Sequence, residues 1–391
     1  MSDMDRKWLK LNEICEIKSG KRIPKGMDYV TFQTSHPYIR ARDIKSGNIL
    51  TEDLIYLEDY VYKKIKKYII QEGDIAITIA GSIGETGYAK KTVDGYNLTE
   101  NAVRLTNFTK DVDSKFLHYV LVQKQYHDYM QLISGAAAQP KLGLYKIKRI
   151  RVALPKISIQ KKIADILSAY DNLIENNNKR IKLLEQMAEN LYKEWFVRFR
   201  FPGYEDVEFV DGMPEGWKIC RIDQLSKIKA GGDAPDDSTK EITDECSIPI
   251  YSNGIENEGL YGYTSKAKIN NPSITISARG TVGYTCLRRV SYTPIVRLIC
   301  IIPHEEKLAN WLFYYFKRTL VIANGTSQQQ ITIPMMGREK VLLPTNDLIQ
   351  KFYEYSTCYL DEIDILKAQN SNLEKQRDLL LPRLMSGKLK V

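Results

Sequence analysis

The two halves of the chain carry similar short segments in the same order, at an offset of roughly 190 to 210 residues. The matched pairs are Trp8 and IKSG (17–20) with Trp217 and IKAG (228–231), IAITIAGSIG (75–84) with ITISARGTVG (274–283), AVRL (102–105) with IVRL (295–298), FLHYVL (116–121) with WLFYYF (311–316), SGAAAQPKL (134–142) with NGTSQQQIT (324–332), and LPKISIQKKIADIL (154–167) with LPTNDLIQKFYEYS (343–356). Each match is weak alone. Their shared order predicts two tandem copies of one unit, each a domain followed by a helix.

Within each copy, short β-branched and aromatic runs are separated by Gly, Asn, Asp and Pro, which is typical of an α+β domain with an irregular mixed sheet. In the stretch 198–217 proline and glycine recur and neither helical nor strand periodicity survives, so an ordered linker is expected there. The predicted organisation is a first domain (1–155), a central helix (156–200), a linker with the second domain (201–344) and a distal helix (345–391).

Two long apolar stripes advance in alternating steps of four and three residues, the pattern of a coiled-coil seam. The seam positions of the first stripe are Ile163, Leu167, Tyr170, Ile174, Asn177, Ile181, Leu184, Ala188, Leu191 and Trp195. Those of the second are Phe352, Ser356, Tyr359, Ile363, Leu366, Asn370, Leu373, Arg377, Leu380 and Leu384. A helix of about 35 to 40 residues spans about 55 to 60 Å, and one small domain cannot bury such a stripe. We therefore expect the two helices to pair as an antiparallel coiled coil.

Three details of these helices have two readings. Asn177 and Asn370 are either tolerated in the seam at a modest cost or fix its register and orientation. The segment ENNNKR (175–180) either continues the first helix or breaks it. The pair is either a structural strut or a ruler that also offers a docking surface, and the aromatic residues of EWFVRFRF (194–201) favour contact with a partner.

The chain has 391 residues, with 57 Lys and Arg against 48 Asp and Glu, and a formal charge of +9. An excess of positive charge suits a polyanionic partner such as nucleic acid. No run of about 18 apolar residues exists, and the first residues lack the apolar core of a signal peptide, so we expect a cytoplasmic protein without membrane contact. Six scattered cysteines without a Cys-x-x-Cys pair, and four histidines at no zinc-ligand spacing, predict reduced thiols and no metal site.

Candidate DNA contacts come from loops rich in Arg, Lys, Asn, Gln and Ser, because these side chains hydrogen-bond base edges or phosphates. A solvated surface charge, a plain hairpin turn or a loop-stabilising glutamine is the alternative for each. In the first domain the candidates are Lys21, Arg22, Lys25, Arg40, Arg42, Lys45, Ser82 and Gln139. In the second they are Asn253, Arg279, Thr281, Arg288, Arg289, Gln328, Gln329 and Gln330.

A Leu-Pro followed by Gln-Lys and IADIL, a heptad helix ending in LYKEWFVRFRFPG (191–203), the linker DGMPEGW (211–217) and the tail RDLLLPRLMSGKLKV (377–391) resemble the specificity subunit of Type I restriction-modification systems. The resemblance covers essentially the whole chain. One departure is that the position before Gln160 and Gln350, often Glu in this family, is Ile159 and Ile349, which puts an acidic contact there in doubt.

The resemblance implies a non-catalytic reader of double-stranded DNA with two target-recognition domains, a pseudo-twofold internal repeat, and a coiled coil that sets the spacer of a split target. It also implies two methyltransferase subunits as partners, with restriction subunits in the larger complex. Those partners would hold S-adenosylmethionine, and ATP with magnesium, whereas this chain would hold no cofactor.

The sequence lacks the catalytic and nucleotide-binding motifs that were sought. No Asn/Asp-Pro-Pro-aromatic motif of adenine methyltransferases occurs, and GSIGETG (81–87) has the wrong spacing for a dinucleotide loop. Two other functions remain open at this stage. One is a structural adaptor whose repeated domains bind proteins; the other is a nuclease with an unrecognised site, although no cluster of carboxylates with a lysine stands out.

Overall fold

A computed structural model of the chain describes residues 6–135, 138, 140–323 and 331–391. The chain divides into two compact units. Unit 1 comprises Met1–Glu175 and Asn370–Val391, and unit 2 comprises Asn176–Gln369. None of the helices in the described part of the chain combines the length and the apolar character that a membrane span requires.

Unit 1 is an α+β unit built from short strands. Its strands are β1 (Lys7–Lys10), β2 (Glu16–Ser19), β3 (Pro37–Ile39), β4 (Ile44–Lys45), β5 (Asn48–Ile49), β6 (Ile55–Tyr56), β7 (Ile75–Thr78), β8 (Thr86–Tyr88), β9 (Asn97–Leu98), β10 (Ala102–Thr106) and β11 (Arg151–Leu154). Its helices are α1 (Leu11–Ile14), α2 (Asp59–Ile65), α3 (Ser114–Leu121), α4 (Lys124–Ser134) and α5 (Leu144–Lys148), with 3-10 turns at Ala41–Asp43 and Lys91–Val93. The long helix α6 (Ile157–Tyr192) begins in this unit.

Unit 2 contains the end of α6, which closes in a π-helical turn at Lys193–Val197. Its strands are β12 (Phe209–Val210), β13 (Met213–Pro214), β14 (Lys218–Arg221), β15 (Ser226–Ala230), β16 (Ile248–Tyr251), β17 (Leu260–Thr264), β18 (Ser273–Ile276), β19 (Thr285–Arg288), β20 (Thr293–Pro294), β21 (Ile299–Pro303) and β22 (Lys340–Leu343). Its helices are α7 (Ile222–Leu225), α8 (Leu308–Ala323), α9 (Ile333–Arg338) and the first part of α10 (Asn346–Ser386), with 3-10 turns at Tyr204–Asp206 and Glu256–Gly259.

The two units share one strand topology. An antiparallel four-stranded sheet has the order β2-β10-β7-β8 in unit 1 and β15-β21-β18-β19 in unit 2. A three-stranded sheet has the order β6-β3-β9 and β17-β16-β20, and its middle strand pairs antiparallel with one neighbour and parallel with the other in both units. A two-stranded ribbon joins β1 to β11 and β14 to β22. The predicted repeat of one α+β unit is therefore confirmed at the level of strand order.

Strand pairing corrects two of the sequence matches. The carbonyl of Ala102 accepts the amide of Gly20 at 3.0 Å, and the carbonyl of Leu298 accepts the amide of Gly231 at 2.8 Å. Ala102 therefore corresponds to Leu298, so AVRL corresponds to LICI (298–301) and the match to IVRL was wrong by three residues. The two segments look alike because a buried strand and the turn before it both hold apolar residues.

The tryptophans near the two domain starts are also not equivalent. Trp8 pairs with Ala153 in the first ribbon, and Ile219 pairs with Leu342 in the second. Since Ala153 and Leu342 each precede a Leu-Pro, Trp8 corresponds to Ile219, and both side chains are exposed. Trp217 is buried instead.

The structural correspondence between the starts of the two long helices differs by one residue from the Gln-Lys match in the sequence. In α6 the amide of Gln160 donates to Lys156 O, and in α10 the amide of Ile349 donates to Thr345 O, both at 3.1 Å. Lys156 and Thr345 both follow the Leu-Pro pair, so Gln160 corresponds to Ile349 and not to Gln350. The Gln160 side chain is fully buried and donates to Pro155 O at 2.8 Å, which secures the helix start.

The core of unit 1 includes the first part of α6 and the end of α10. Ile163 and Leu167 share one buried cluster with Leu384, and Leu380 packs against it. An ion pair of 2.7 Å joins Arg377 to Asp171, on α10 and α6 respectively. The start of one long helix thus packs along the end of the other in this unit.

Unit 2 contains the complementary parts of the two helices. Ala188 of α6 and Phe352 of α10 belong to one buried cluster, and Tyr359 packs against it. Arg180 and Glu362 form an ion pair at 2.6 Å. The predicted antiparallel pairing of the helices is therefore present within each unit, and α6 is continuous through the ENNNKR segment.

Every residue predicted for the seam is buried or half-buried. Asn177 donates to Gln369 Oε1 at 3.4 Å, and both Asn177 and Asn370 are buried. A buried amide that must be satisfied favours one register over its neighbours.

The aromatic residues after α6 do not project toward a partner, contrary to the sequence expectation. Trp195, Phe196 and Phe201 are buried in the core of unit 2. Trp217 lies against them, with its ring centroid 6.1 Å from that of Phe196. The linker is ordered because these large side chains gain more from burial than the chain loses in conformational freedom.

Candidate nucleic-acid interface

In unit 1 the first basic loop follows a glycine that cannot be replaced without movement of the backbone. A Cβ on Gly20 would lie 2.0 Å from Thr99 O, so the chain passes β9 closely and turns outward. Lys21 and Arg22 come directly after this contact and are exposed. The Arg22 side chain is 83% exposed and forms an ion pair with Glu100 at 3.2 Å.

Beside this loop lies an open groove of about 360 Å³. It is lined by residues 19–22 and 141–144, together with Ile79 and Glu100. Lys141 belongs to the segment that the repeat analysis singled out, but the sequence reasoning chose Gln139 in that segment and missed Lys141. The groove therefore gathers Lys21, Arg22 and Lys141 in one place.

The second basic loop of unit 1 contains both structural and exposed arginines. Arg40 donates two hydrogen bonds to the Asp43 carboxylate, at 2.9 and 2.8 Å, and also bonds Asp53 O. Its guanidinium thus holds the turn at Ala41–Asp43. Arg42, within that turn, is exposed, as is Lys45. Lys25, on the preceding loop, is exposed as well.

The two Gly-x-x-Gly segments are hairpin tips of the same geometry. Gly81 and Gly84 have φ of 77° and 88°, and their counterparts Gly280 and Gly283 have φ of 74° and 85°. Positive φ is accessible to glycine at little cost, which explains the residue type. The tips leave Ser82 in unit 1, and Arg279 and Thr281 in unit 2, exposed to solvent.

Arg288 lies inside unit 2. Its side chain is 4% exposed and its guanidinium carbon lies 3.6 Å from the centroid of the Tyr251 ring. It donates to Thr275 Oγ1 at 3.0 Å and to Glu258 O at 2.5 Å. These contacts give Arg288 a structural role within the folded unit.

Arg289 and Asn253 also bond within unit 2. Arg289 forms ion pairs with Asp364, at 2.5 Å, and with Asp361, both on α10. Asn253 donates to Val296 O at 2.6 Å and accepts from the amide of Ala278 at 3.0 Å. The candidates Gln139, Gln328, Gln329 and Gln330 lie outside the described residues.

A second exposed arginine, which sequence reasoning missed, lies near the hairpin tip of unit 2. Arg297 is exposed and adjoins Val296, the residue bonded by Asn253. In the sequence, Arg297 stands in IVRL, a segment noticed only as a landmark of the repeat. The sequence signal that could have identified Arg297 is a basic residue in the turn before a strand.

Across the described residues, no group of three or more His, Cys, Asp or Glu side chains is placed to hold a metal ion. The duplicated fold and the exposed cations on its loops together define a recognition protein.

Known proteins support this class. A family model described as the Type I restriction modification DNA specificity domain matches residues 5–186 and again 214–375. The chain belongs to this family, whose members are non-catalytic recognition subunits of Type I restriction-modification systems. Both halves are matched, as the internal repeat requires.

Individual relatives agree. The Type I restriction enzyme MjaIX specificity subunit of Methanocaldococcus jannaschii is 28% identical over 360 residues, covering 84% of this chain and 80% of that protein. A putative type I specificity subunit of Mycoplasma pneumoniae is 26% identical, covering 88% and 86%. The crystal structure of the Type I restriction-modification S subunit from M. genitalium has the same fold, with a TM-score of 0.65 at 15% identity, covering 98% of this chain and 97% of that one.

Proposed function

We propose that this chain is the sequence-reading subunit of a Type I restriction-modification complex, and that each unit recognises one half of a split double-stranded DNA target. The observation that carries the proposal is the duplication: two units of one topology each present exposed cations on their loops, although the loops that carry them differ between the units. Unit 1 offers Lys21 and Arg22, and unit 2 offers Arg279 and Arg297. The units differ in sequence at these loops, so the two half-sites should differ.

Methyltransferase subunits are the proposed partners of the long helices. Besides the seam, these helices expose large apolar side chains that are available to pack against a partner helix. In unit 1 they are Ile166, Leu173 and Leu379, and in unit 2 they are Leu183, Met187, Tyr355 and Ile365. Ile166 and Leu173 are one heptad apart, a spacing that suits helices packed alongside.

The chemistry of the complex is assigned to its other subunits. We propose that two methyltransferase subunits bind S-adenosylmethionine, and that restriction subunits, where present, bring ATP and magnesium. The cytoplasm is the proposed compartment. All six cysteines lie within the described residues and are free thiols, as expected in a reducing environment.

Sequencing of methylated bases in the source genome tests the function. Deletion of the gene for this chain should remove methylation from one split motif with a fixed gap, and a plasmid copy should restore it. Retention of every methylated motif after the deletion would reject the proposal. An isolated duplex carrying the motif should also be bound by the assembled complex more tightly than a shuffled duplex of the same composition.

A further inference from the structure

An unusual turn precedes strand β21 in unit 2. Val296 and Arg297 have φ of 53° and 58°, so two successive residues lie in the left-handed region. A β-branched residue is rarely found there, because its Cβ substituents clash with the backbone. Such a conformation persists only where surrounding contacts determine it.

The amide of Leu298 closes this turn by donating to Ile295 O at 3.1 Å, and three further hydrogen bonds tie the turn to neighbouring segments. The amide of Val296 donates to Gly232 O at 2.8 Å, and the amide of Arg297 donates to Gly231 O at 3.1 Å. The side-chain amide of Asn253 donates to Val296 O at 2.6 Å. The backbone is thereby fixed with both side chains directed outward, and Val296 is 56% exposed.

Asn253 connects this turn to the hairpin tip that carries Arg279. Its Oδ1 accepts the amide of Ala278, the residue before Arg279, at 3.0 Å. Its carbonyl accepts the hydroxyl of Ser277 at 3.2 Å. One asparagine therefore fixes the backbone beside both exposed arginines, Arg279 and Arg297.

In unit 1 the corresponding segments are joined by a backbone hydrogen bond, without an asparagine side chain between them. The parallel pairing of β3 with β9 and of β16 with β20 makes Ala41 the counterpart of Asn253. There the amide of Ile79 donates directly to Asn101 O at 2.8 Å. In unit 2 the Asn253 side chain stands between the corresponding segments, which are therefore linked through its amide group.

The two arginines suit base recognition. Within the described part of the chain, neither guanidinium has an ion-pair or hydrogen-bond partner, so both keep their donors available. Arginine on a fixed backbone can bond the O6 and N7 atoms of guanine in a bidentate manner, and an apolar side chain such as Val296 can contact the methyl group of thymine. A fixed backbone reduces the conformational freedom lost on binding.

We propose that Arg279 and Arg297 read bases in the half-site recognised by unit 2, and that Asn253 is the positioning residue that sets the place of both. This inference rests on the proposed function and assigns its specificity-determining residues. The link between these two turns through an asparagine side chain is a feature of unit 2, because Ala41 gives unit 1 no equivalent side-chain amide.

The test uses the full-length chain expressed with the methyltransferase subunits of its own complex in a host that lacks the motif, followed by sequencing of methylated bases. Arg297→Ala should relax the base preference at one position of one half-site, and Arg279→Ala at another position of the same half-site. Each loss of discrimination should be roughly 5- to 150-fold, the value of one bidentate contact. Arg22→Ala, in unit 1, should leave that half-site unchanged.

The asparagine is tested by two substitutions. Asn253→Ala should relax both positions. Asn253→Asp retains an acceptor for the Ala278 amide but cannot donate to Val296 O, so it should relax the Arg297 position more than the Arg279 position. A structural loss alone would lower the overall methylation rate and the melting temperature without this difference between positions. Arg221→Ala, an exposed arginine of β14 that belongs to neither of the two turns, is the matched control with an unchanged motif.

The outcomes separate the two levels of the proposal. An unchanged motif in Arg297→Ala and Arg279→Ala, with the wild type methylating a split motif, would overturn this inference and leave the proposed function intact. Uniformly weaker methylation of all sequences would also overturn it, because that result identifies phosphate contacts. A wild-type complex that methylates no split motif would reject the proposed function itself.

Discussion

Individual glycines fix the path of the chain beside the turn at Val296 and Arg297, and Gly231 and Gly232 allow a direct comparison. A Cβ on Gly231 would lie 2.7 Å from Ile295 N, whereas a Cβ on Gly232 would meet nothing within 4 Å. Gly231→Ala should therefore lower the free energy of unfolding by about 1–3 kcal/mol, the usual cost of forcing atoms into a packed region. Gly232→Ala should change it little. Urea unfolding of both variants measures the difference, and equal stabilities would contradict it.

The buried His118 on α3 is expected to make the stability of the protein depend on pH. The imidazole is buried, and this burial lowers the pKa of His118 to about 4, while Asp171 opposes the shift and Lys90 adds to it. The unfolded chain, with an ordinary histidine pKa of about 6.5, therefore binds the proton first as the pH falls. The contribution of the neutral His118 to the free energy of unfolding should be fully present above about pH 6.5. It should decline as the pH falls toward 4, by up to about 3 kcal/mol in total.

The repeat supplies the matching substitution, because helix α8 has Phe313 where α3 has His118. His118→Phe should remove this part of the pH dependence, and no described hydrogen bond of the buried Nδ1 atom is lost. Thermal melting of both proteins between pH 7 and pH 4 measures the effect as the difference between the curves. A constant difference across that range would show that His118 does not titrate as proposed.

At this scale the sequence predicted exposed cations better than it separated their roles. Lys21, Arg42 and Arg279 are exposed as a basic recognition loop requires. Arg40 and Arg288 stand in equally basic segments, yet both bond groups within their own unit. Residue type and loop position are the same in both cases. The difference depends on partners such as Asp43 and Glu258 that only the folded chain brings near.

Secondary-structure elements were predicted where periodicity is long. The seam pattern predicted both long helices, which span 36 and 41 residues. Strand order was not predictable, because β10 lies between β2 and β7 in a sheet whose pairing is set by distant segments. The AVRL match failed for the same reason: a four-residue apolar run does not record its hydrogen-bond register.

Each unit joins the end of its four-stranded sheet to a long helix through an ion pair at matching positions. Lys90, two residues after β8, pairs with Glu175 of α6. Arg289, the residue after β19, pairs with Asp364 of α10 at 2.5 Å. The hairpin match makes Lys90 the counterpart of Arg289, and the helix register makes Glu175 the counterpart of Asp364. The repeat has thus preserved a contact between elements while changing the residues that form it.

Arg289 is a DNA candidate from the sequence, but its ion pairs with α10 predict a role in stability. Arg289→Ala should lower the free energy of unfolding by about 0.5–1 kcal/mol, since the pair is partly exposed and water screens it. The methylated motif should stay the same. Urea unfolding and sequencing of methylated bases give the two measurements. A relaxed motif without loss of stability would instead assign Arg289 to the DNA contact, and Arg279→Ala serves as the comparison.

Each long helix is unbroken at the point where the chain goes from one unit to the other. Helix α6 runs through Glu175 and Asn176, where unit 1 gives way to unit 2, and α10 runs through Gln369 and Asn370, where the chain returns. A continuous helix rises about 1.5 Å per residue. We therefore expect helix length to set the gap between the half-sites of the proposed target.

Insertion of one heptad with the seam pattern into both helices tests this expectation. The insertions belong after residue 178 in α6 and after residue 367 in α10, beside the bond between Asn177 and Gln369, so that the existing seam contacts on both sides of the insertions keep their partners. Seven residues lengthen a helix by about 10 Å, and base pairs of DNA are about 3.4 Å apart, so the gap should grow by about three base pairs. The sequences of both half-sites should remain unchanged. An insertion in α6 alone should lower stability and abolish methylation, because it displaces one side of the seam by a heptad. An unchanged gap in the doubly extended protein would show that the spacing is determined elsewhere.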